Sequence, residues 1–121
     1  MPPLTLTRRE LKVVRDLSEF SKPVKQKKAL VTLSQLCIHD PDSRAYIAAA
    51  GAIAPLVQLL GAGSSADTQE RAATALWHLA KEGNADIIAA AGAIPPLVQL
   101  LGHGTPADVQ NQACALLATL A

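Results

Sequence analysis

The chain has almost no aromatic residues: Phe20, Tyr46 and Trp77 are the only ones in 121 positions. Binding of nucleic acid by stacking bases on aromatic faces is disfavoured by that scarcity. Cysteine is scarce too. Cys37 and Cys114 stand in unrelated contexts and make no disulfide framework; they read as two small buried hydrophobes in a reducing compartment. No apolar run reaches the roughly 20 residues needed to cross a bilayer, since "IAAAGAIAPLVQLL" is interrupted by Gly51 and Pro55. The opening "MPPLTLTRRELKVV" has no adequate apolar core before its charges, so no secretory signal is expected. Strand-like alternation is absent throughout. So are catalytic and metal-binding sets. His39, His78 and His103 fall on separate segments with no carboxylate or cysteine at ligand spacing. The glycine-rich "GAGSS" and "GHGT" lack the lysine of a phosphate loop and join helix to helix. No enzymatic activity, metal or cofactor is expected.

What is present is apolar, small and repeated. Half of the residues are apolar, mostly Ala, Leu, Ile and Val, and Ala and Leu are strong helix formers. "GAIAPLVQLL" at 51–60 returns as "GAIPPLVQLL" at 92–101, each preceded by "IAA" and alanine. Ala66, Asp67, Gln69, Ala72, Leu76 and Leu79 recur 41 positions later as Ala107, Asp108, Gln110, Ala113, Leu117 and Leu120. Such a period marks a stacked-repeat architecture.

Apolar spacing predicts helices. Leu11, Val14, Leu17 and Phe20, with Val13, form one stripe, opened by a capping box at Thr7 and Glu10. A second helix is expected from about Pro23 to Ile38, with Ala29, Leu33 and Leu36 inward. Asp40–Pro41 reads as an N-cap with proline at the first helical position, opening a short helix that stops at Gly51 in a left-handed cap. Another short helix, about Ile53 to Leu60, ends at Gly61. Ser64 with Asp67, and Thr105 with Asp108, read as caps of longer helices, the first ending near Lys81. Between Leu36 and Ser43 lie "CIHDPD", against "AKEG" between Leu79 and Asn84, so the first inter-repeat loop is two residues longer.

A short helix, a glycine turn, a middle helix and a longer helix cannot bury their apolar faces alone, whereas stacked units share a core. "AGAIAPLVQLL" with "AATALWHLA", echoed by "AGAIPPLVQLL" with "ACALLATLA", resembles the armadillo repeat family over nearly the whole chain. That resemblance implies an all-α, right-handed α-solenoid of about three stacked armadillo repeats, at roughly 1–39, 40–81 and 82–121, the first lacking its short helix. It also implies a single domain that is a piece of a longer array, and a non-enzymatic protein-interaction scaffold of the cytoplasm or nucleus. Alternatives are a structural or oligomerisation module, or a targeting domain of a larger protein such as a ubiquitin ligase.

In armadillo proteins the longest helix of each repeat lines a concave groove. By that resemblance the groove positions are Arg71, Thr74, His78 and Lys81, matched by Lys28, Val31 and Gln35 before them and by Gln112, Ala115 and Thr119 after. At the places where importin-α-like repeats carry a Trp four residues before an Asn, this chain has Val31, Thr74 and Ala115, then Gln35, His78 and Thr119. A nuclear-localisation-signal adaptor is therefore not expected. Trp77 is read as inter-repeat packing, groove edge or partner anchor. With Lys28, Arg71 and Lys81 nearby, the expected partner is a neutral or acidic protein segment. Eight of the eleven basic residues lie in the first 28 positions, which marks either a docking surface for an acidic partner or the solvated face of an end helix. The last helix carries Ala113, Leu116, Leu117 and Leu120, more apolar positions than one inward stripe buries. Leu116 is expected on an outer surface, with self-association through that helix.

Overall fold

A computed structural model describes residues 15–17, 23–40, 44, 47, 48, 51–61, 65–102 and 105–120. The expected capping box at Thr7 and Glu10, the stripe residues Leu11, Val13, Val14 and Phe20, the N-terminal proline Pro41 and the cap Ser64 lie outside them. Residues 15–17, 44, 47 and 48 are helical. The remaining helices are α1 (Pro23–His39), α2 (Ile53–Leu59), α3 (Ala66–Leu79), α4 (Ala85–Ala90), α5 (Ile94–Gln99) and α6 (Ala107–Leu120). A π-helical turn, Ala80–Asn84, joins α3 to α4. Among the described residues there is no strand. The chain is an all-α solenoid.

Glycine sets the corners. Gly51 has φ +87°, its N–H reaches the Ala48 carbonyl at 3.1 Å and the next N–H reaches Ile47 at 3.3 Å. This paired closure uses two carbonyls left over at a helix end and needs a residue that tolerates the left-handed region. Gly92 turns in the same way, with φ +88° and a single such bond, 3.1 Å to the Ala89 carbonyl.

A glutamine clasps each middle helix to the long helix after it. Gln69 Nε2 donates to the Gly61 carbonyl at 2.9 Å, and Gln110 Nε2 donates to Gly102 at 3.2 Å. The first repeat has the same device, in which Gln26 Nε2 donates to the Leu17 carbonyl at 2.9 Å. Carbonyls just past α2 and α5, and that of Leu17, are thus satisfied by one residue type at one position.

The long helices α1, α3 and α6 stack side by side, and burial identifies which face meets which neighbour. Ala75 of α3 and its counterpart Leu116 of α6 are fully buried, while the α1 counterpart Thr32 is exposed. That position faces the preceding repeat. Leu30 and Ala73 are buried while their counterpart Cys114 is exposed, so this position faces the following one. Ala29, Leu33 and Leu36 of α1, and Ala72, Leu76 and Leu79 of α3, point into the one continuous core, which runs from Leu17 to Leu116.

Several local expectations need correction. The cap of α3 is Ser65, whose hydroxyl accepts the Thr68 N–H at 3.2 Å, and α3 starts at Ala66. Pro106 occupies the matching place before α6 and has no side chain able to cap; the first turn closes from Gln110 N–H to the Pro106 carbonyl at 3.0 Å, and Thr105 sits one residue too early. α3 ends at Leu79, short of Lys81, because Asn84 Nδ2 donates to the Leu79 carbonyl at 3.0 Å and Gly83 turns with φ +89°. Cys114 is exposed, unlike Cys37, whose thiol is pushed up to about 12 by burial, against the pull of Arg44. Leu116 is not on an outer surface: it is the residue with which α6 meets α3.

Candidate functional site

α1, α3 and α6 share an open cavity of about 320 Å³, lined by Ser34 and Ile38 of α1, Asp67, Glu70, Arg71 and Thr74 of α3, and Gln112 of α6. Of the groove positions expected from sequence, Arg71, Thr74 and Gln112 meet here. Lys28 and Val31 line a second, shallower hollow of about 550 Å³ along α1, with Val24, Lys27 and Thr32. Gln35 is exposed beside them on α1, and Ala115 and Thr119 are half-buried on α6.

Trp77, His78 and Lys81 form a cluster at the end of α3. Trp77 packs partly against the core, and Lys81 Nζ lies 4.3 Å from its ring centroid. This cation–π contact holds the ammonium over the indole. The His78 ring meets Trp77 edge-on, with centroids 4.9 Å apart. His78 Nδ1 is buried with no hydrogen-bond partner. Burial, then the Arg44 guanidinium, then the Lys81 ammonium hold its pKa below 6.5, which favours the neutral ring. Arg44 is itself anchored, its Nε donating to the Cys37 carbonyl.

Polar groups in the cavity shared by the three long helices divide into used and unused. Arg71 Nε pairs with Asp67 at 3.2 Å, one helical turn away, and the Thr74 hydroxyl donates to the Glu70 carbonyl at 2.9 Å. Thr119 Oγ1 does the same toward Ala115 at 2.9 Å. The Glu70 carboxylate and the Gln112 amide have no such tie among the described residues. Sequence reasoning missed Ser34, Ile38, Asp67 and Glu70. The signal was a stripe one position away from the one chosen: Lys27, Val31, Ser34 and Ile38 follow at four, three and four, which is also a helix face.

The described residues contain no helix long and apolar enough to cross a membrane, and no group of three or more His, Cys, Asp or Glu gathers among them. No curated protein matches the chain. Solved structures do. An engineered protein is 29% identical with a TM-score of 0.78, over 93% of this chain and 45% of its own. A designed armadillo repeat protein is 26% identical with a TM-score of 0.78, over 92% and 46%. A computationally designed armadillo repeat protein for modular peptide recognition is 28% identical with a TM-score of 0.77, over 90% and 45%. The chain therefore spans less than half the length of these proteins. Armadillo repeats are commonly protein-binding scaffolds and are generally non-enzymatic. Residues 40–81 and 81–121 each match the Armadillo/beta-catenin-like repeat family, and the chain belongs to it.

Proposed function

We propose that the chain is a non-enzymatic scaffold whose groove takes an extended segment of a partner protein. The observation that carries this reading is the cavity to which three successive long helices contribute, with an unused carboxylate at Glu70 and an unused amide at Gln112. A segment crossing it meets one set of side chains per repeat, as an extended solenoid surface allows. The similarity to a protein designed for peptide recognition supports the same reading. A neutral or acidic segment suits the lysines of α1, while Arg71 is already half-answered by Asp67. The cytoplasm or nucleus suits two cysteines on separate helices, neither of them in a disulfide.

The test is partner capture with the intact chain, comparing the native groove with Thr74→Arg and Gln112→Arg, which crowd the cavity from two repeats. Binding is expected to fall at least tenfold with each. Undiminished capture with both variants removes the cavity from the site.

A second reading, self-association, is supported by the exposed apolar side chains Ile94, Val98 and Leu101 beside α6. Contiguous apolar surface of this kind drives association between copies. Light scattering tests it: Val98→Glu is expected to shift the chain toward monomer, and a native monomer at millimolar concentration overturns it.

A further inference from the structure

We infer that the groove reads charge order. Its occupant is an extended segment with an acidic residue over the first repeat and a basic residue over the second, close to neutral overall. This deepens the groove reading above and rests on it.

Equivalent positions recur on successive long helices. Val24, Lys27 and Lys28 of α1 correspond to Asp67, Glu70 and Arg71 of α3, 43 positions on. All six line the two hollows. In the second repeat Arg71 has Asp67 one turn before it, and the two pair at 3.2 Å. The first repeat has Val24 at that place, so Lys28 has no such carboxylate, and Lys27 stands beside it. The carboxylate of Asp16 pairs with Lys25, at 3.4 Å. Among the described residues, the first repeat therefore offers two uncompensated ammonium groups flanked by Val24 and Val31. The second offers one uncompensated carboxylate, Glu70, flanked by Thr74. The third continues the second: Asp108 and Gln112 replace Asp67 and Arg71, so the negative group there has no guanidinium. The sign reverses once, between the first and second repeats.

Packed helices lie about 8–10 Å apart, close to the Debye length of about 8 Å at physiological ionic strength. A partner charge over one repeat therefore responds mainly to that repeat. At about 3.3 Å per residue, adjacent repeats are about three residues apart along an extended segment. An acidic residue over Lys27 and Lys28 puts a Lys or Arg over Glu70 about three residues away. An apolar residue next to the acid has Val24 and Val31 to rest on.

A displayed library of random decapeptides, panned on the intact chain, tests this. Expected is enrichment of sequences with Asp or Glu followed or preceded at about three residues by Lys or Arg. With one selected peptide, Glu70→Lys is expected to weaken binding at least tenfold, and Lys27→Glu with Lys28→Glu likewise. The three variants combined should favour the peptide with its two charges exchanged. These positions are exposed or half-buried, so the variants fold, which circular dichroism checks. Peptides without charge order, or insensitive to these reversals but lost with Thr74→Arg, overturn the charge reading and leave the groove standing. No enriched peptide, or peptides indifferent to Thr74→Arg, overturn both.

Discussion

The second and third repeats write the same middle helix but for Ala54 and Pro95, and surround it differently. Leu60 is 1% exposed and its copy Leu101 is 40% exposed; Val57 is 8% exposed and Val98 is 55% exposed. Ile53 and Ile94 differ in the same sense. Neither the residue nor the local helix distinguishes them. What differs is that the third repeat packs over the second, while nothing among the described residues packs over the third. A repeat's stability thus divides into a part it owns and a part its neighbour supplies, as expected of a solenoid with nearest-neighbour coupling.

Substitutions at matched positions can break that division. The largest effect is expected from Leu116→Glu, which places a carboxylate in the contact between α6 and α3. A charge buried without a partner costs several kcal/mol, so denaturant melts should show the third repeat lost or the whole chain unfolded. A soluble, fully helical variant would contradict the burial of this side chain.

Truncating the matched leucines comes next. Leu60→Ala should cost about 2–5 kcal/mol, as for other large-to-small changes in a core, and Leu101→Ala roughly 1 kcal/mol, since less area leaves water. Equal costs, measured by urea denaturation, would mean that an unseen contact covers the third repeat.

The glutamine clasps sharpen the same contrast at smaller scale. Gln69 is buried and Gln110 half-buried. Removing the former leaves the Gly61 carbonyl without its side-chain donor, so Gln69→Ala should cost about 1–3 kcal/mol, and Gln110→Ala about 1 kcal/mol or less, because water replaces the lost donor. Matching losses in the two variants would show that local geometry, not burial, sets the value of the clasp.

The smallest effect is a pH dependence. His78 titrates below its ordinary value in the folded chain, so the unfolded chain takes up the proton first as pH falls. Stability is therefore unaffected above the unfolded pKa and declines as pH drops through and below about 6.5. His78→Asn should flatten the stability profile between pH 7 and 5.5. An unchanged profile would show that the ring is free to charge in place, despite Arg44 and Lys81.

Much of the helical outline was legible because it rests on local chemistry. Gly51 and Gly92 mark corners that need a left-handed residue, and Ala72, Leu76 and Leu79 carry a period set by one helix. What escaped depends on neighbours. Periodicity places Leu116 on a helix but not against α3, and it cannot tell Cys114 from its covered counterpart Ala73. The stripe expected from sequence includes Arg71, Thr74 and Gln112 of the shared cavity but not Glu70, about 100° of helix rotation from Arg71, nor Ile38, which line it too. Ser65 and Ser64 are equally able caps, and the choice lies in where the backbone turns. The three glutamine clasps escaped because each depends on where a carbonyl eight or nine residues earlier lies in space.

These clasps have a kinetic consequence. Each glutamine reaches a carbonyl only eight or nine residues before it. Closing so short a loop costs little chain entropy and takes tens of nanoseconds. The corner between two helices can therefore form before any contact between repeats exists. Contacts across repeats then join pieces whose angles are already set, which keeps the sequence separation of the early steps low and folding fast. Lengthening the stretch 62–64 by a few glycines would leave the folded contacts in place, yet slow this first closure in proportion to the wider search.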